Sequence, residues 1–81
     1  MITFRVLVDE RYLRIGFNKR QVWVEIYRAR GVSMHSLEAA YRGTRIDPEN
    51  AAKLREWAKE VHRVELDVLQ LLTAPARKRA P

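Results

Sequence analysis

The sequence predicts an α+β fold, a three-stranded antiparallel β-meander followed by a short helix and a long C-terminal helix (βββαα). Three observations carry this. Residues 2–28 alternate apolar and polar side chains, short polar links interrupt the alternation twice, and beyond Ser33 the apolar spacing changes to threes and fours.

The first strand places Ile2, Phe4, Val6 and Val8 on one side, with Thr3, Arg5, Leu7 and Asp9 on the other. After Asp9-Glu10-Arg11, a second strand points Leu13, Ile15 and Phe17 inward and Tyr12, Arg14 and Gly16 outward. Asn18-Lys19-Arg20 reads as a hairpin loop, because Asn tolerates the left-handed conformation such turns need. The third strand, residues 21–28, turns Val22, Val24 and Ile26 inward and Trp23, Glu25 and Tyr27 outward. Links this short require an antiparallel meander.

Ser33 is a suitable N-cap for a short helix that continues to about Arg42, and Gly43 suits its left-handed end. Asp47-Pro48 restarts a helix, with Asp at the cap and Pro at the first helical position. No breaker follows until Pro75, so this helix is expected to reach Leu72, about 37 Å at 1.5 Å per residue. Residues 1–72 form one domain in this reading, and residues 73–81, with Arg77-Lys78-Arg79, form a basic flexible tail.

Composition narrows the function. The 81 residues hold 16 Lys plus Arg against 10 Asp plus Glu, a net charge of +6, and no cysteine. Disulfide frameworks, thiolate chemistry and cysteine zinc sites are excluded. No apolar run approaches the roughly 20 residues of a membrane span, and no signal peptide follows Met1; a cytoplasmic location, in a host cell, is expected. The charge is uneven: residues 1–46 carry nine basic and four acidic side chains, whereas residues 47–72 carry four and six. The positive field therefore belongs to the first half and the tail.

On the expected outward sheet face, Arg5, Arg14, Trp23 and Tyr27 gather beside the Lys19-Arg20 loop, and these six residues are the candidate contacts for nucleic acid or a partner. The same face would also serve as a protein–protein surface. Arg28, Arg30, Arg42 and Arg45 read as solubilising charge at element ends, with local pairs to Glu38 and Asp47. His35 and His62 stand alone, without partners at metal-ligand spacing, and Glu56, Glu60 and Glu65 interleave with Lys53, Lys59 and Arg63 as a salt-bridged helix face. No catalytic residue, metal site or cofactor is expected, and the protein reads as non-enzymatic. So small a core without a staple favours self-association, so a homodimer is expected through Val64, Val68, Leu69, Leu71 and Leu72 on the projecting end of the long helix.

Residues Gln21-Val22-Trp23-Val24-Glu25-Ile26-Tyr27, with Ser36-Leu37-Glu38-Ala39-Ala40-Tyr41 after them, resemble the last strand and helix of AP2-type DNA-binding domains. That resemblance implies a small transcriptional regulator reading the major groove with its sheet, Arg5, Arg14 and Trp23 being the contacts. The whole build, short, Arg- and Ala-rich, cysteine-free and strand-plus-helix, also resembles small phage-encoded inhibitors of the anti-CRISPR type. This second resemblance implies a homodimeric inhibitor engaging a bacterial nucleic-acid-processing complex through its basic and aromatic surface. The inhibitor is the leading expectation and the DNA-binding regulator its alternative.

Overall fold

The computed structural model describes residues 1–73, and over them the chain is all-helical. Helix α1 covers Phe4–Val8 and continues into a π turn, Asp9–Leu13; α2 is Lys19–Arg30 and α3 is Met34–Arg42. Helix α4, Pro48–Trp57, runs into a second π turn, Ala58–His62, and α5 is Leu69–Thr73. Among the described residues, extended pairing is confined to one parallel bridge between Ile2 and Leu66. The α+β meander expected over residues 2–28 is therefore incorrect, as is the unbroken helix to Leu72.

In α1 and its π turn the buried side chains are Phe4, Leu7, Val8 and Tyr12, spaced three and four apart as one helical face requires. Leu7 and Tyr12, assigned outward by the strand reading, are buried, while Val6, Ile15 and Phe17, assigned inward, are exposed. Thr3 starts the helix by accepting the Val6 N–H at 3.2 Å.

The supposed hairpin loop is the start of α2. Asn18 Oδ1 accepts the Gln21 N–H and Gln21 Oε1 accepts the Asn18 N–H, both at 2.9 Å, a reciprocal capping box. Val22, Trp23 and Ile26 are buried, and Gly31, at φ 72°, ends the helix in the left-handed region. Helix α3 begins at Ser33, whose Oγ accepts the Ser36 N–H, and ends at Gly43, φ 79°.

Helix α4 starts at Pro48 and buries Ala51, Leu54 and Trp57, and the π turn after it buries Ala58. It stops because Arg63 turns left-handed, φ 58°, leaving the Val64 N–H bonded to Ala58 O at 3.3 Å. That conformation costs a non-glycine residue about 1–2 kcal/mol. Continued as a helix, the chain would carry Leu66 roughly 120° away from Leu54, at 3.6 residues per turn. Turned instead, residues 65–67 run beside Ile2, whose N–H bonds to Glu65 O and whose carbonyl accepts from Asp67, and Leu66 and Leu71 are both buried. Burying two leucines, worth about 1.5–3 kcal/mol each, outweighs the strain.

Trp57 sits at the centre with no exposed surface, stacked on Tyr12 and edge-on to Phe4, while Phe4 stacks on Trp23 at 5.6 Å. Around this aromatic column α1 packs on α3, α2 packs on α3 and α4, and α5 packs on α4. No described helix is long and apolar enough to cross a membrane. The basic tail expected from residue 73 lies, from residue 74 onward, outside the described residues.

Candidate nucleic-acid interface

Helices α2 and α3 are joined by three residues, Gly31, Val32 and Ser33, each with a separate physical task. Gly31 reverses the chain at positive φ, Val32 is fully buried and pins the turn to the core, and Ser33 caps α3. Two packed helices joined by a turn this short, containing glycine, have the order and loop length shared by αα-hairpins and helix-turn-helix units. Leu37 and Ala40 hold α3 on the core, leaving Met34, His35 and Arg42 exposed on its other side. The helix is further tied down by Asn50, which donates to Ser36 Oγ at 3.1 Å from the first turn of α4.

The start of α2 and the middle of α3 meet at the Glu38 carboxylate. Lys19 Nζ lies 3.2 Å from Oε2, Arg42 Nε donates to the same oxygen at 3.2 Å, and the buried Trp23 indole donates to Oε1 at 3.3 Å. Partial burial works against the charged form, but the hydrogen bonds of Lys19 and Trp23 and the charges of Lys19 and Arg42 prevail, holding the carboxyl below its ordinary value of 4.5. Beside this cluster the Tyr41 hydroxyl donates to Asp9 at 2.5 Å, and the Lys19 ammonium and Arg5 guanidinium lie 4.8 and 5.1 Å from the Tyr41 ring centre. The bond to Asp9, with burial, raises the Tyr41 hydroxyl above its usual 10. Residues 18–45 hold six basic and two acidic side chains.

Of the six candidate contacts, the structure brings Arg5, Lys19 and Arg20 to this region. Arg20 is exposed in the first turn of α2 and has no ion pair among the described residues. Trp23 is no surface aromatic: it is 5% exposed, because the true period of α2 turns it onto Phe4. Tyr27 is exposed further along α2, and Arg14 follows the π turn that ends α1; with no sheet, these two and Trp23 share no common outward face. The AP2-type reading, which required a sheet face, is overturned with it. Arg42 pairs with Glu38 as expected from their spacing of four, but that pair lies on α3 beside His35, which had no assigned role. The signals that could have located the site are the Asn18-x-x-Gln21 cap and the Gly31 and Ser33 punctuation of the turn.

The five residues expected at a dimer interface divide. Leu71 is buried in the monomer's own core, Val64 and Val68 pack partly against that core, and Leu69 and Leu72 remain exposed. Val64, Val68 and Leu72 line a groove of about 880 Å³ against Ala51 and Ala52 of α4.

Elsewhere, Tyr12 joins α1 to α2 and α4: its hydroxyl donates to Glu25 Oε2 at 2.7 Å and lies 2.8 Å from His62 Nε2. Since the single Tyr12 proton goes to Glu25, Nε2 of neutral His62 carries hydrogen and donates to the tyrosine oxygen. Burial, then the Glu25 bond and charge, raise the Tyr12 hydroxyl; burial and Arg11 lower His62 below its ordinary value of 6.5. Among the described residues, no group of three or more His, Asp or Glu is placed to hold a metal. No family model matches the chain, and no curated protein or solved structure matches it significantly.

Proposed function

We propose that the chain is a DNA-binding module in which α3 enters the major groove and the start of α2 sits on the phosphate backbone. The observation that carries this is the α2-turn-α3 unit, with its exposed α3 edge and the cations Lys19, Arg20 and Arg42 around it. In a helix-turn-helix the second helix presents its N-terminal residues to base edges while the first crosses the backbone. On that pattern Met34 and His35 face the bases, Met34 offering an apolar contact to a thymine methyl and His35 a hydrogen bond. Arg20 and the first-turn amides of α2 face phosphate.

The module acts as a homodimer in this reading. Leu69 and Leu72 project beside the α4 groove, and its rim carries both Arg55, Lys59 and Arg63 and Glu56 and Glu65, charges of both signs that a second copy can pair. The inhibitor expectation drew on a strand-plus-helix build, and nothing in the helical arrangement adds support to it.

The test is fluorescence anisotropy with random duplex DNA over 50–200 mM salt, followed by selection of a preferred sequence from a random pool. Binding should weaken steeply with salt, and Arg20→Gln should lower the log–log slope by about 1 without changing the selected sequence. His35→Ala should instead alter preference at one or two base pairs. Absence of salt-dependent binding, or a selection yielding no preference, refutes the proposal.

A further inference from the structure

Glu38 is the only acidic side chain on α3, and two cations beside the proposed DNA face converge on it. Its side chain is 30% exposed, against 42% for Lys19 and 55% for Arg42, so both cations remain within reach of an approaching anion. The carboxylate cannot swing away freely, because the buried Trp23 indole holds its other oxygen. An acidic group fixed at the centre of a phosphate-binding surface opposes simple electrostatic attraction.

The geometry points to Glu38 as a restraint on non-specific DNA binding: it engages Lys19 and Arg42 internally, so a phosphate must compete for them, and a sequence that also satisfies α3 draws them out. This rests on the DNA-binding reading above and adds to it what sets discrimination between cognate and random sites. The three groups together carry one net positive charge, and without the Glu38 carboxylate they would carry two. Random duplex, offering only phosphates, gains little from displacing the ion pairs. A cognate site gains base contacts by seating α3 more deeply, and Lys19 and Arg42 then exchange carboxylate for phosphate. Breaking an exposed ion pair is worth up to about fivefold in an equilibrium constant, which sets the scale of the discrimination each cation adds.

Glu38→Gln tests this, since glutamine is isosteric and can still accept the Trp23 N–H while losing the charge. Its binding to random duplex should tighten at low salt, by up to about 25-fold for the two pairs together, with a log–log slope steeper by about 1–2, while the selected site gains less and the specificity ratio falls. Adding Lys19→Gln to Glu38→Gln should reverse part of the gain on random duplex. Unchanged affinity, slope and ratio in Glu38→Gln, beside a wild type that binds DNA, overturns the restraint and leaves the DNA-binding reading standing. If the wild type shows no salt-dependent binding, that reading fails and the restraint with it. Should glutamine at position 38 prevent folding, the single variants Lys19→Gln and Arg20→Gln decide: on random duplex the restrained Lys19 should lower the log–log slope by less than Arg20 does, and an equal or larger fall in Lys19→Gln overturns the proposal.

Discussion

Truncating Leu7 and, separately, its neighbour Val6 to alanine distinguishes a helical from a strand-like first segment by stability alone. Leu7 is fully buried in the cluster with Phe4, Trp57 and Leu54, whereas Val6 is 40% exposed. Leu7→Ala removes three carbons from a closed site, about 2.4 kcal/mol of transfer free energy at 0.8 kcal/mol per methylene. The residual cavity raises the loss to about 2–5 kcal/mol. Val6→Ala removes two carbons that water already reaches and places the best helix former in a helix, so it should stay within about 0.5 kcal/mol of wild type. A single core in a chain of this size supplies about 3–5 kcal/mol in total, so Leu7→Ala should be largely unfolded at 37 °C while Val6→Ala remains folded. Urea titration followed by circular dichroism at 222 nm measures both. A period-two segment would give the opposite order, since it turns Val6 inward and Leu7 outward. Equal losses, or a larger loss at Val6, would refute the helical assignment and the packing built on it.

Asn18→Ala removes one half of the capping box at the start of α2 and should cost about 1 kcal/mol in the same urea assay. Arg63→Gly should stabilise by about 0.5–1 kcal/mol: relief of about 1–2 kcal/mol of left-handed strain exceeds the added backbone entropy of glycine in the unfolded chain. Because His62 binds its proton less readily in the folded state than at its ordinary 6.5, the unfolded chain takes up more protons below that value, and stability contributed by the neutral ring is lost as pH falls from about 6.5 towards the lowered value. Thermal melts between pH 7.5 and 5 should show this loss, and His62→Gln, which stays uncharged, should flatten it. Glu38 behaves as a depressed carboxylate, its contribution present at neutral pH and lost only in acid, below the usual carboxylate range; Glu38→Gln should remove that acid-side loss from the melts.

The misreading of residues 2–28 has a specific cause. Val22 and Ile26 are four apart, and a spacing of four satisfies both period two and period 3.6, so those residues cannot distinguish strand from helix. The discriminating positions are the odd steps. Trp23 against Val24, and Leu7 against Val6, place the bulkier side chain where a helix needs it, while strand propensity in this Val-, Ile- and aromatic-rich stretch pulls towards the other assignment. Caps would have decided the matter, for Thr3 and the Asn18-Gln21 pair mark helix starts that a hairpin does not require. Beyond Ser33 the local chemistry was legible: Ser33, Gly43 and Asp47-Pro48 bound their helices. The stop at Arg63 was not, because no residue type announces it. It follows from Ile2, sixty residues earlier in the chain, offering its backbone to residues 65–67. Lys19 and Arg20 are candidates from sequence, but the surface they belong to is made by the turn at Gly31, and a lone glycine does not by itself distinguish the end of a strand from a turn between helices.

The helical arrangement also accounts for how so small a chain presents a rigid α3. Among the described residues no charged or wholly polar side chain is buried, and the polar atoms of buried Tyr12 and Trp23 find partly exposed partners at the edge of the core. Specification comes instead from polar groups at its edge. Asp9 holds Tyr41, Asn50 holds Ser36, and Trp23 and Lys19 hold Glu38, so α1, α4 and α2 each grip α3 at a different point. Three attachments from three helices fix both the rotation and the depth of α3, which shape-tolerant apolar packing alone would leave less sharply defined. A helix meant to place a few side chains against base edges needs that positional certainty. The residues that supply it therefore stand between the core and the proposed DNA surface, and substitutions there should weaken sequence discrimination before they unfold the domain.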